Sequence, residues 1–191
     1  MREAALEVFL RHGYRKVTME DIAQGAGLSR PALYLVFPNK EAVFREVVRV
    51  GLDEIEERIE QGLTDLPGPA ERLRHVLDVS LVASFELVAR SPAAAELLHA
   101  SFDFVGELFE RHDQHVTEVL ARILRDAVDE PDSLDPPAER RARVLRVAAQ
   151  GCKAAAHDVG ELRRLLDDLV AMVLAGLPPR RGRARVARSR S

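Results

Sequence analysis

Apolar residues return every three or four positions along almost the whole chain, and no stretch alternates apolar with polar residues as a half-buried strand would. The pattern predicts an all-α protein. A first helix spans about 2–12, with Ala5, Leu6, Phe9 and Leu10 facing inward and Gly13 at its C-cap. Two short helices follow, and then a long one runs from Asn39 to about Gly62. Val43, Phe44, Val47, Val48, Leu52, Ile55 and Ile59 share a face of that helix, and Gly51 is its expected bend. Asp65 to Pro69 breaks the chain. A helix over 70–89 comes next, and Ser91 caps a short helix after it. A long helix over 102–129 is followed by a proline-rich loop at 129–137. Two final helices span 138–156 and 160–177.

The region 17–45 carries the densest local signals. Thr18 caps one helix and pairs with Asp21 three residues on as a short capping box, while Val17 and Ile22 form the accompanying hydrophobic staple. Ser29 repeats the device, with Pro31 in the first turn and Leu28 and Leu33 as the staple. Gly27 between them supplies a left-handed turn residue. Pro38 ends the second short helix, and Asn39 caps the long one. Two short helices joined by a glycine turn make a helix-turn-helix. From Ser29 onward, Leu33, Val36 and Phe37 are expected to face a three-helix core, leaving Arg30, Pro31, Tyr34 and Leu35 outward.

Charge is distributed unevenly. Residues 1–50 carry 8 basic and 6 acidic side chains, residues 51–177 carry 14 and 25, and residues 178–191 carry 6 arginines and no acid. An acidic body repels a phosphate backbone, so nucleic acid is expected at the N-terminal end or the tail. The 25 arginines against 3 lysines fit the codon usage of a GC-rich genome. A hydrophobic content of 47% supports a substantial core, while no run is long enough for a membrane span and no leader opens the chain. With Cys152 the only cysteine, a cytoplasmic setting is expected and packing, not redox chemistry, is its role.

Residues 2–48 closely resemble the DNA-binding domain of TetR/AcrR-family transcriptional regulators. The resemblance runs through Ala5-Leu6-Glu7-Val8-Phe9, Gly13-Tyr14, Val17-Thr18, Asp21-Ile22-Ala23, Ala26-Gly27-Leu28-Ser29, Leu33-Tyr34, Phe37 and Asn39-Lys40-Glu41. It implies a helix-turn-helix domain at 1–48, a helical ligand-binding and dimerisation domain at 49–177, and a disordered basic tail at 178–191. It also implies a homodimer on a pseudo-palindromic duplex, acting as a repressor that a small apolar or amphipathic ligand releases. Carried across by residue, Thr18 meets a phosphate, Ser29, Arg30, Pro31 and Tyr34 face the major groove, and Lys40 contacts a flanking phosphate. Arg30 is the outward residue able to pair bidentately with guanine, or else it clamps a phosphate. Tyr34 alternatively closes the module as a half-buried aromatic. Leu35 and Val36 depart from the polar or aromatic residues frequent there, and Leu35 can touch a thymine methyl. The family's N-terminal DNA-reaching arm is not seen before Met1, so the arm is absent or the start lies upstream.

For the ligand, Phe85, Phe102, Phe104 and Phe109 are candidates to line an apolar pocket, two of them being expected to touch it, and His112 to hydrogen-bond the inducer. His112 with Asp113 and His115 makes a poor metal site, and a half-exposed polar edge is the bland alternative. No metal or cofactor is expected, and no GxSxG, HExxH, phosphate loop or dinucleotide fingerprint points to an enzyme. The last two helices supply the expected dimer interface: Ala148, Gly151, Cys152 and Ala155 form a small-residue face, and the apolar stripe from Leu162 to Leu177 is too wide for one neighbour, the bland alternative being that both its sides are covered within one chain. The competing reading is an architectural or cell-division DNA-binding protein of the same fold without an inducer. The arginine tail either adds non-specific phosphate contacts or is simply solvated.

Overall fold

The computed structural model describes residues 1–90, 93, 94, 97 and 103–178. Among them no strand occurs, and the fold is an N-terminal three-helix module followed by a larger helical domain. We label the helices α1 (Arg2–His12), α2 (Met19–Gly25), α3 (Arg30–Val36), α4 (Lys40–Leu63), α5 (Pro69–Leu77), α6 (Ala83–Arg90), α7 (Asp103–Asp126), α8 (Ala138–Ala155) and α9 (Val159–Ala175). None is long and apolar enough to cross a membrane.

The predicted caps form. The Thr18 hydroxyl accepts from the Asp21 N–H at 3.2 Å, while the Asp21 carboxylate takes the Thr18 N–H at 2.8 Å. Ser29 Oγ accepts from Ala32 N at 3.3 Å and Asn39 Oδ1 from Ala42 N at 2.8 Å. Between α2 and α3, Gly27 sits at φ 66°, and the Leu28 N–H reaches back to the Ala23 carbonyl at 2.9 Å. That is a Schellman stop, and a side chain at position 27 would strain it. Gly25 is needed for a different reason: a Cβ there would lie 2.5 Å from Val8 Cγ2, so α1 and α2 could not close to their observed distance.

Two cores result. The first gathers Ala5, Phe9, Ile22 and Leu33 of the three-helix module with Val43 and Phe44 of α4, all buried, with the Phe9 and Phe44 rings edge-to-face at 5.1 Å. It continues into α7 through Val105 and Leu108. The second joins α4, α5, α7, α8 and α9 around Ile59, Leu73, Leu120, Leu145 and Leu162. The expected boundary at residue 48 therefore falls inside one continuous helix, α4, which belongs to both bodies.

The structure departs from the sequence reading in places. The helix expected over 70–89 is interrupted by a π-helical turn, Asp78–Val82. The Ser80 hydroxyl donates to the Val76 carbonyl at 2.7 Å within it. Val36 does not face the core: it is 66% exposed. Val36 still lies within α3 but about 60° around the helix from Leu33, on the side away from the core, while Phe37, extended at the C-cap, is buried. Leu6, also expected inward, is 38% exposed. The helix expected to reach residue 129 ends at Asp126. The cap at Ser91 lies outside the described residues.

Candidate nucleic-acid interface and ligand-domain cleft

The outer face of α3 carries Arg30, Pro31, Tyr34, Leu35 and Val36, all exposed. Leu35 is 88% exposed, more than any other large apolar side chain described, on a helix whose opposite side anchors through the fully buried Leu33. The Arg30 guanidinium lies 5.6 Å from the Tyr34 ring centroid, a cation–π contact one turn along the helix that presents both groups together. Thr18 and Ser29 are exposed at the starts of α2 and α3, where unpaired N–H groups favour anions. The Thr18 hydroxyl also donates to Asp21 at 2.7 Å, so it is already part of the capping box.

Lys40 is placed differently from a flanking-phosphate contact. Its ammonium donates to the carbonyls of Tyr14 and Val17, both at 2.8 Å, approaches that of Arg15 at 3.4 Å, and sits 4.5 Å from the Tyr14 ring centroid. All three N–H bonds are engaged in tying the α1–α2 connection to the start of α4.

The family model for bacterial regulatory proteins, tetR family, matches residues 2–47, the same stretch that builds α1 to α3 and opens α4. Residues 2–47 are a DNA-binding module of the TetR/AcrR family. Among relatives, the transcriptional repressor BepR of Brucella suis is 30% identical over 125 residues, covering 62% of this chain and 58% of BepR. The chain thus spans less than two thirds of that relative's length. A TetR regulator of Haloarcula marismortui has the same fold at 19% identity, with a TM-score of 0.69 over 92% of this chain and 95% of that one. The fold is also that of the regulator FadR from Bacillus subtilis, solved in complex with stearoyl-CoA, at 18% identity and a TM-score of 0.63, over 93% and 97% of the two chains.

In the larger domain, α7 and α8 flank an open cleft of about 790 Å³. Phe109, His112, Thr117, Arg146 and Gln150 are among its lining residues. Of the phenylalanines proposed for a pocket, only Phe109 lies here among the described residues. Phe85 packs against the second core, and Phe102 lies outside the described residues. Phe104 is in the joint between the two bodies, its ring centroid 5.7 Å from Tyr14 and 6.1 Å from Phe44.

His112 is buried, not a half-exposed edge, and its Nδ1 lies 3.0 Å from Glu56 Oε1 on α4. Burial pushes the imidazolium below its ordinary pKa, with Glu56 opposing and Arg146 and His115 adding to the depression. Arg146, missed in the sequence, is equally buried, and its Nε is 2.9 Å from Asp113 Oδ1. With its amide oxygen turned inward, Gln150 accepts from the same guanidinium at 2.8 and 3.0 Å. The signal was present: an arginine beside Leu145 and one turn before Ala149 stands on the inward face of α8. No group of three or more potential metal ligands occurs among the described residues.

Polar bridges stitch α7 to α4 along its length. Beside His112–Glu56 these are Arg111–Asp53 at 3.1 Å, Arg122–Glu60 at 2.7 Å and the Arg45 guanidinium on the Phe104 carbonyl. On the far side, α8 and α9 leave apolar residues uncovered: Val144, Val147 and Met172 are 62, 66 and 72% exposed, beside the exposed Gly151 and Ala155.

Proposed function

We propose that this chain is a dimeric transcriptional repressor that reads an operator through α3 and is released by a small molecule bound in its larger domain. The observation that carries the reading is the exposed Arg30–Tyr34–Leu35 face on a short helix fixed from behind by Leu33 and in front by the Ser29 cap. Arg30 pairs with a guanine edge, while Leu35 and Val36 meet thymine methyl groups. Thr18 and Ser29 position the module on the phosphates.

The uncovered apolar face of α8 and α9 supports association with a second copy through a four-helix bundle. A monomer has little reason to expose three large apolar residues on adjoining helices. In such a dimer two α3 helices lie about 34–36 Å apart, one turn of duplex. Ligand binding beside α7 shifts that helix, and the bridges to α4 together with the Phe104 joint carry the shift to the DNA-reading module. A ligand acts only through its difference in affinity for the two arrangements.

Selection of bound duplexes from a random library by the purified protein tests this reading. An enriched inverted repeat with half-sites about 10 base pairs apart is expected. Binding without enrichment that vanishes in salt favours the architectural alternative.

A further inference from the structure

Lys153 stands on α8 two turns beyond Arg146 and one turn beyond Gln150, where the cleft along that helix ends. Its ammonium is largely withdrawn from water and touches one polar group, Ser84 Oγ on α6, at 2.8 Å. The Ser84 proton is directed to the Leu81 carbonyl at 2.9 Å, at the π-helical turn, so Ser84 offers Lys153 a neutral lone pair only. No carboxylate of the described residues comes within 4 Å of Lys153.

The contrast with its neighbour is informative. Arg146 has Asp113 at 2.9 Å and the Gln150 amide, so its charge is compensated inside the fold. Lys153 has no such counter-charge, and both burial and the nearby Arg146 work against its ionised form. A buried cation without a counter-ion is destabilising, and folds ordinarily pair it or replace it by an apolar group. Phe85, next to Ser84 in the sequence, and Cys152 and Ala156, flanking Lys153 along α8, pack against the second core.

We infer that Lys153 and Ser84 receive the anionic head of the ligand, which is an amphipathic monocarboxylate. One uncompensated positive charge calls for one negative charge. Lys153 supplies a point charge with two free N–H bonds, Ser84 anchors the ammonium, and the apolar body runs back along α8 into the cleft it shares with α7, beside Phe109 and Val147. The inference rests on the ligand-responsive reading above and specifies its ligand class.

Two measurements on the full chain test it. In the first, Lys153→Met is melted without any ligand. Removing an uncompensated charge raises the melting temperature by about 2–4 °C on the scale expected for a chain of this size. A lower melting temperature would make Lys153 a structural residue and overturn the inference.

The second compares decanoate and 4-phenylbutyrate with their methyl esters, by thermal shift and by release of the selected duplex. At least one acid is expected to bind the wild type tenfold or more tightly than its ester. Lys153→Met should reduce that preference to about twofold or less, and Lys153→Arg should restore part of it. Equal binding of acid and ester, an acid preference that survives in Lys153→Met, or no binding by either acid overturns the carboxylate site. Release of DNA by the esters as well as the acids would leave ligand control standing while removing this inference.

Discussion

Replacing Lys40 by methionine separates a structural lysine from a DNA-contacting one. Methionine keeps the length of the stem but removes the two 2.8 Å bonds to the Tyr14 and Val17 carbonyls and the contact with the Tyr14 ring. Hydrogen bonds to a charged group contribute about 1.5–3 kcal/mol each when buried. Both carbonyls here are only part-buried and regain water when the ammonium leaves, so the lower end applies. The cation–π contact adds about 0.5–1 kcal/mol. A loss of about 3.5–4 kcal/mol is expected, which lowers the melting temperature by about 7–16 °C for a chain of this length. The assay is thermal or urea unfolding, followed by anisotropy titration of duplex DNA over a salt series well below the transition. The structural role predicts a large fall in stability with an unchanged salt slope. An unchanged melting temperature, with the slope of log K against log salt reduced by about 0.9, would instead assign Lys40 to a DNA phosphate.

Other consequences are as specific. Arg30→Ala is expected to relax discrimination at one base pair of each half-site by about 1–3 kcal/mol, measured by competition between point-substituted duplexes. Equal weakening on all duplexes would mark it as a phosphate clamp. Val147→Glu places a charge on an exposed position of α8 and should leave monomer stability within about 0.5 kcal/mol. Sedimentation should find the dimer lost, and a persistent dimer would place the interface elsewhere. His112, with its pKa depressed mainly by burial, binds a proton more readily in the unfolded chain, whose ordinary value is 6.5. Its contribution is therefore complete above that pH and is lost as pH falls below it. Melting temperature should drop on acidification, and His112→Gln, which keeps a donor for Glu56, should make that drop smaller.

The DNA-reading module was legible because its signals are local. Thr18, Ser29, Asn39 and Gly27 each act on backbone groups within a few residues, so their meaning survives without knowledge of the fold. The cap of α9 could have been read in the same way. Asp158, three residues before Glu161, accepts the Glu161 N–H at 2.7 Å, and only the start at 160 obscured it. Val36 was misplaced because the i, i+3 spacing puts it about 60° around α3 from Leu33, at the edge of the inward face, and packing leaves it outside. The π-helical turn at 78–82 contains no glycine or proline to announce it.

The ligand domain was less legible because its site depends on partners far apart in sequence. Phe104 reads as a pocket aromatic until Tyr14 and Phe44, sixty or more residues away, are found against it. Lys40 and Lys153 look like surface cations until the carbonyls of α1–α2 and the Ser84 hydroxyl are brought to them. His112 was identified by its place on an apolar stripe, but Glu56, which holds it, lies on another helix.

The proposed dimer holds its two α3 faces one turn of DNA apart. A spin label at Leu35, the most exposed large apolar residue on α3, in a chain whose native Cys152 is replaced by serine, reports that spacing by pulsed dipolar spectroscopy. In the free dimer without ligand, the pair should give one distribution, centred about 34–36 Å apart after allowing for the label arms. No dipolar signal, or a distribution far from one helical turn, would contradict the account.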